Sequence, residues 1–299
     1  MLVQVAAVVV TYNSEDHIAG LLDSIPAAMG DLSYSIVVVD NGSSDGTLAL
    51  LEQRTDCVVV RSSNVGYAGG MNRAVAESPS AASILILNPD ATLDADAVPA
   101  MQRTLDRPGV GIVAPRVREA DATLSPTLRR GPTMGRVGGL SFTGWPVFTE
   151  RIEDPAAYAA EHEVEWAVGA ILLIDAGLYS TLNGMDESYF LYSEETDFSL
   201  RAKDAGWSTF YTPYAGAMHV GGGSGESATT HTMKQINRIR LYRRRTGTLR
   251  AALYYAFTVL SELRRALLGH RKSWSTLRAL IRPSTRPPLL NASHSILPS

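Results

Sequence analysis

The chain has 299 residues, enough to bury a sizeable core in one large or two ordinary domains, and its 45% hydrophobic and 19% charged content excludes a disordered or fibrous protein. A formal charge of −3 hides a strong polarity, because residues 1–230 carry −16 and residues 231–299 carry +13. The single cysteine, Cys57, excludes an internal disulfide, and no apolar run reaches the ~20 residues of a membrane-spanning helix.

Residues 3–11 read as a strand, and no Lys or Arg precedes Arg54, so the basic region of a signal peptide is missing and a cytoplasmic location is expected. Short β-branched runs at 5–10, 35–39, 57–60 and 84–87 alternate with helix-like stretches at 14–25, 47–53 and 69–76. That alternation predicts an α/β fold with a mostly parallel sheet and right-handed crossovers. Asp40 and Asp90 each follow an apolar strand run, which is where open α/β sheets collect ligand-binding groups. The strand bearing Asp90 is expected beside the one bearing Asp40.

A dinucleotide fold needs a Gly-rich turn after its first strand, and here that turn reads Thr11, Tyr12, Asn13, Ser14. A dehydrogenase is therefore disfavoured. Asn88, Pro89 and Asp90 follow the run at 84–87, and Asp90 suits a hard divalent cation shared with a diphosphate. A Pro-containing turn capped by Asp is the plainer reading of the same segment.

The pattern loosens from about residue 108, and residues 123–150 form a long irregular stretch. A helix is predicted at 195–205, headed by Glu194, Glu195 and Asp197. Capping the helix dipole needs fewer carboxylates than these, and burial with mutual repulsion would raise the pKa of at least one, as a general base requires. Helical spacing sets Glu194 and Asp197 on similar faces and turns Glu195 away. His219 precedes a Gly-rich loop, 221–225, that could close over a phosphate, and its imidazole suits manganese.

Beyond residue 231 the sequence turns basic and helical, with Leu249, Leu253, Ala256, Leu260, Leu263 and Leu267 alternating at spacings of four and three. This seam could face the domain, a second subunit of a homodimer or lipid, and the charge around it fits an anionic lipid surface or lipid-linked acceptor; no nucleic-acid partner is expected, since no recognised module accompanies the charge. The tail from residue 283 is expected to be poorly ordered.

Taken in order, VVVTYN at 8–13, VVDNGSSDGT at 38–47, NVGYAGGMNRA at 64–74, LNPD at 87–90, WAVGAILLI at 166–174, the acidic segment at 184–207 and MHVGGGS at 218–224 resemble the family 2 glycosyltransferases of the GT-A fold, especially the bacterial rhamnosyltransferase-like branch. The resemblance implies a GT-A catalytic domain at 1–230, with a nucleotide-binding half (1–107) and an acceptor-binding half (108–230), followed by a basic helical region at 231–299. It implies an inverting enzyme that moves a sugar from a nucleotide-diphospho-sugar to a cell-envelope glycan or polyprenyl-diphosphate-linked acceptor. dTDP-rhamnose is the expected donor; a UDP-sugar such as UDP-galactofuranose, or a catalytically silent binding protein, are the alternatives.

By the same resemblance Thr11, Tyr12, Asn13 and Asp40 would hold the nucleoside, Asn64 and Asn72 would line its pocket, and Asn88 stands where the family's metal motif has its first acid. Asp90 and His219 would hold Mn²⁺ or Mg²⁺. Glu195 occupies the position of the family's catalytic base, with Glu194 as the alternative. The enzyme would sit at the inner face of the cell membrane as a peripheral protein.

Overall fold

The computed structural model describes residues 2–137, 143, 145–220 and 227–290. Its first half alternates as expected: β1 (Val3–Thr11), α1 (Ile18–Met29), β2 (Tyr34–Asp40), α2 (Thr47–Glu52), β3 (Val58–Arg61), α3 (Gly66–Ala76), β4 (Ala81–Leu87), β5 (Ala91–Leu93), α4 (Ala97–Leu105) and β6 (Val110–Arg118). The irregular stretch follows, holding among its described residues β7 (Leu128–Arg129), α5 (Met134–Val137) and short 3-10 turns at Pro146–Phe148 and Pro155–Tyr158. Regular structure resumes in β8 (His162–Val164), β9 (Trp166–Ala167), β10 (Ile171–Asp175), α6 (Ala176–Thr181), α7 (Glu194–Asp204) and β11 (Ser208–His219). Helices α8 (Ala228–Thr246), α9 (Thr248–Leu267) and α10 (Arg271–Ile281) close the chain.

One nine-stranded sheet runs β3-β2-β1-β4-β10-β6-β11-β5, with β8 also paired to β11. Strands β1 to β4 are mutually parallel, β10 is antiparallel to both neighbours, and β11 returns parallel to β6. The expectation that β4 lies beside β2 is corrected, because β1 sits between them. The first strand is an interior one, flanked by β2 and β4, as its near-continuous burial on both faces requires.

Period-two alternation divides the core. Val5, Ala7 and Val9 face Ile18, Leu21, Leu22, Val98 and Met101 of α1 and α4. Val8 and Val10 face Ala68, Met71, Leu178 and Phe198 of α3, α6 and α7.

Helix α8 begins at Ala228, ahead of the expected boundary at 231, and Ile236, Ile239, Tyr254 and Leu280 form a third apolar cluster. The opposed charges of the two chain segments meet here. Arg238 pairs with Glu150, Arg244 with Asp186, and Arg245 with Asp204 at 2.9 Å. At the start of the tail, Leu290 is fully buried and Arg286 Nε donates to the Ala279 carbonyl at 3.1 Å, while residues 284, 285, 288 and 289 are exposed. The loop at 221–225 and the last nine residues lie outside the described residues.

The seam of α9 faces outward. Leu249, Leu253, Leu260, Leu263 and Leu267 are exposed, joined by Phe257 on the same helix and by Trp274 and Ile281 of α10. Among the described residues no helix is long and apolar enough to cross a membrane.

Candidate active site

The parallel strands end together, which gathers side chains from distant sequence at one edge of the sheet. Thr11 stands opposite Asp40 in the register, and its hydroxyl donates to Asp40 Oδ1 at 3.2 Å. Asp40 also accepts from the Ser43 hydroxyl at 2.5 Å and from the backbone N–H groups of Gly42 and Ser43 at 3.2 and 3.1 Å. Its carboxylate thus shapes the loop after β2. Asn13, at φ 52°, accepts from the Ser44 N–H at 2.8 Å and locks that loop to the end of β1. Tyr12 beside it is 54% exposed, leaving an aromatic face open at the strand ends.

Asn64 accepts from the Gly66 N–H at 3.1 Å and is exposed. Gly66 has φ +82°, and a Cβ there would come within 2.3 Å of the Phe190 carbonyl, so only glycine opens α3 here. Asn72, expected to line the nucleotide pocket, has a different setting. Its oxygen accepts from the Tyr179 hydroxyl at 2.6 Å and the Met185 N–H at 2.9 Å, while its nitrogen donates to the Met185 carbonyl and to Glu187. All four hydrogen-bond positions of the amide are filled by the protein. Asn72 braces the segment that leads to the acidic helix.

At the end of β4, Asp90 meets His219 because β11 pairs with β5 so that His219 is opposite Ala91. His219 Nε2 lies 3.0 Å from Asp90 Oδ1 and has no well-aligned hydrogen-bond partner. Burial works against the Asp90 charge, yet the adjacent imidazole holds its carboxyl below the ordinary range. No group of three metal-ligating side chains occurs among the described residues. One carboxylate and the imidazole beside it nevertheless fit a Mg²⁺ or Mn²⁺ whose remaining positions go to diphosphate and water.

Tyr67 joins this corner to the acidic helix. Its hydroxyl lies 3.0 Å from Asn88 Oδ1 and 3.1 Å from the Gly169 carbonyl, its one proton shared between these two acceptors. Burial, reinforced by the charges of Glu194, Glu195 and Asp90, pushes its pKa far up, so it stays a neutral donor. Sequence reasoning missed Tyr67, although it stands inside the NVGYAGG segment.

Helix α7 opens on a strained turn: Tyr192 and Ser193 have φ of 69° and 79°. Each such residue costs about 1–3 kcal/mol and persists only when neighbours enforce it. Asn237 of α8, fully buried, enforces it by donating to the carbonyls of Leu191 and Tyr192 at 2.9 and 3.1 Å. The turn aims Glu194 inward and Glu195 toward a cavity. Asp197 pairs with Arg201 at 2.6 Å, and Arg201 holds the Leu182 and Gly184 carbonyls, so this carboxylate is structural.

Burial raises the pKa of both glutamates, for Glu194 with repulsion from Glu195 added. Each leaves its Oε2 shut off from solvent and without a partner. Gly169 lies against Glu195, where a Cβ would stand 3.1 Å from the Glu195 Cβ. The cavity beyond Glu195 has a volume of about 350 Å³, with walls from β7, the 146–151 segment, Trp166 and α8.

Carboxylates from distant segments thus stand at the strand ends, and a buried glutamate faces a cavity of its own. The chain belongs to the glycosyl transferase family 2, whose model matches residues 6–178. It is 29% identical over 229 residues, covering 71% of this chain and 74% of the relative, to the N-acetylglucosaminyl-diphospho-decaprenol L-rhamnosyltransferase of Mycobacterium tuberculosis (strain CDC 1551 / Oshkosh). It is 26% identical over 220 residues to the rhamnosyltransferase WbbL of Escherichia coli (strain K12), covering 71% and 81%. Among solved structures, the mannosyltransferase PcManGT from Pyrobaculum calidifontis, in complex with GDP-Man and Mn²⁺, shares the fold with a TM-score of 0.56 at 17% identity, covering 97% and 82%.

Proposed function

We propose that the chain is an inverting, divalent-metal-assisted rhamnosyltransferase that takes dTDP-rhamnose as donor and a lipid-diphosphate-linked sugar as acceptor. The observation that carries this reading is Glu195, its pKa raised by burial, lining a cavity that none of Thr11, Asp40, Asn88 and Asp90 lines. The two rhamnosyltransferase relatives supply the sugar and, for the mycobacterial one, the class of acceptor.

In this reading Tyr12 stacks on the base, while Thr11, Asp40 and Asn13 set the loop that receives the ribose. Asn88, fixed by Tyr67, borders the diphosphate. A cation held by Asp90 and His219 would neutralise the charge of the leaving diphosphate. The acceptor hydroxyl oxygen bonds to the anomeric carbon from the face opposite the diphosphate, the sugar–phosphate bond breaks, and the hydroxyl proton passes to Glu195. Burial makes Glu195 a stronger base than a solvated glutamate.

The outward stripe of α9 and α10 supports a peripheral site at an anionic bilayer, where a lipid-linked acceptor would reside. Trp274 and the leucines are interspersed with exposed Arg250, Arg265, Arg271, Lys272 and Arg278. The deciding experiment is transfer: dTDP-rhamnose and a synthetic prenyl-diphosphate-linked N-acetylglucosamine are incubated with the full chain and Mn²⁺. Product with an inverted anomeric centre supports the reading; binding of the donor with no turnover on any lipid-linked sugar replaces it with a silent binding protein.

A further inference from the structure

The cavity beside Glu195 carries more positive charge than proton removal uses. Its walls hold Arg129, Arg136, Arg151, Lys234 and Arg238 against only two carboxylates, Glu150 and Glu195. Glu150 neutralises Arg238. Arg129 donates to the Pro126 and Leu128 carbonyls at 2.6 and 2.9 Å, and no carboxylate is bonded to it among the described residues. Burial presses its pKa down, with Arg151 adding repulsion. Arg136 Nε is shut off from solvent with no partner, while its Nη1 forms a long ion pair with Glu165 at 3.8 Å, and Arg151 pairs with the exposed Glu153 at 3.4 Å.

A buried guanidinium bonded to no carboxylate, as at Arg129, is costly, and an anion that accepts several N–H bonds from it and from the loosely paired Arg136 removes that cost. The arginine fork matches phosphate oxygens two at a time. None of Thr11, Asp40, Asn88 and Asp90 lines this cavity, so its anion is not the diphosphate of the donor. A second cavity of about 260 Å³ shares Arg136, Lys234 and Arg238 with the first and carries the cationic wall on to Arg265 of α9. The wall therefore runs from the catalytic glutamate to the helix whose outer face is apolar.

We propose that this cavity is the phosphate site of the acceptor: a diphosphate-bearing substrate lies among Arg129, Arg136, Arg151 and Lys234, which sets the hydroxyl of its attached sugar at Glu195. The proposal rests on the transferase reading above and names the group by which the enzyme grips its acceptor. Recognition is by charge and fork geometry, so the lipid chain extends past Arg265 toward α9 and needs no pocket of its own.

The test uses the full chain in EDTA, which silences a metal-held diphosphate, with farnesyl diphosphate as probe in titration calorimetry. Farnesyl diphosphate should bind, inorganic pyrophosphate should compete, farnesol should not bind, and excess dTDP should leave the affinity within about twofold. The double variant Arg151→Gln/Lys234→Gln should bind at least tenfold more weakly, and Arg151→Lys/Lys234→Arg should recover most of the loss. No binding by the wild type, displacement by dTDP, or wild-type affinity in the Gln variant overturns the proposal. Binding of dTDP with Mn²⁺ is measured on the same preparations: if it is retained while farnesyl diphosphate fails, the acceptor site alone is wrong, and if it is absent the transferase reading falls and takes the acceptor role with it.

Discussion

Asn237 on α8 donates its amide to the Tyr192 carbonyl, 3.1 Å away, and so ties a C-terminal helix to the turn that presents the acidic pair. The same amide holds Leu191, and the chain around it keeps two consecutive non-glycine residues at positive φ. Helix α8 thus braces the turn that opens α7.

Asn237→Ala should leave two carbonyls unpaired in a buried setting and release the strained turn. A loss of on the order of 2–4 kcal/mol is expected from two such deletions, read as a lower urea midpoint at unchanged slope. Transfer by the folded fraction should fall as well, because Glu195 would no longer be aimed at the cavity. A variant with native stability and native turnover would show that the turn stands without α8.

Asp40, Asp90 and the acidic head of α7 were legible in sequence because each adjoins a run whose apolar periodicity is unambiguous. Their neighbours were not. Nothing in the spacing of Asp90 and His219 says that they touch; the pairing of β5 with β11 brings them together. The place of β1 between β2 and β4 is a tertiary choice that alternation alone leaves open. The cavity cations come from β7, α5, α8 and the irregular chain at Arg151, and the i, i+4 spacing of Lys234 and Arg238 does not set them apart in sequence, since Arg240 and Arg244 on the same helix share it. Bare charge counting read the basic tail as a patch in search of a partner, whereas Arg244 and Arg245 find acids within the chain.

Asp90→Ala should abolish most of the Mn²⁺- or Mg²⁺-dependent part of dTDP binding and leave the weaker metal-free affinity in place. His219→Ala should produce a smaller loss of the same kind. Titration calorimetry with and without EDTA separates the two contributions. Full metal enhancement in the Asp90→Ala variant would reduce that corner to a Pro-containing turn.

The α9 stripe predicts binding to anionic vesicles, with each Lys or Arg at the surface contributing about 1 kcal/mol. Leu253→Asp/Leu260→Asp should abolish sedimentation with phosphatidylglycerol vesicles without unfolding the chain, since both side chains already face water. Arg244 and Arg245 are the wrong targets, because reversing them breaks internal ion pairs. Sedimentation that ignores lipid charge and salt, together with a dimer in light scattering that the same variant dissociates, would assign the stripe to self-association.

Glu194 is buried and its pKa is raised by burial and by Glu195, so the folded state favours its protonated form. Its contribution to stability is present at low pH and is lost as pH rises through the folded pKa. Glu194→Gln removes that loss. The melting temperature at pH 8 should rise by about 2–4 °C for each ~1 kcal/mol recovered, with little change near pH 4. A variant that is less stable at pH 8 than the wild type would mean that the charged form of Glu194 is held by the fold.

Glu195→Gln keeps the shape of the side chain but removes the proton acceptor, so donor binding should persist while transfer falls by roughly 10² to 10⁴, the usual worth of general-base catalysis. Because burial raises the Glu195 pKa, the acid limb of kcat against pH should lie above the 4.5 of an ordinary glutamate, with activity rising as the carboxyl loses its proton. Glu194→Gln should retain most of the activity, since its carboxyl points into the protein while Glu195 lines the cavity. Donor affinity has to be measured on each variant, as lost binding would imitate lost chemistry. If Glu194→Gln is inactive and Glu195→Gln turns over normally, the base is Glu194; if both variants are fully active, and the acid limb of the wild type is unchanged in each, neither carboxylate takes the proton and the mechanism proposed for this site is wrong.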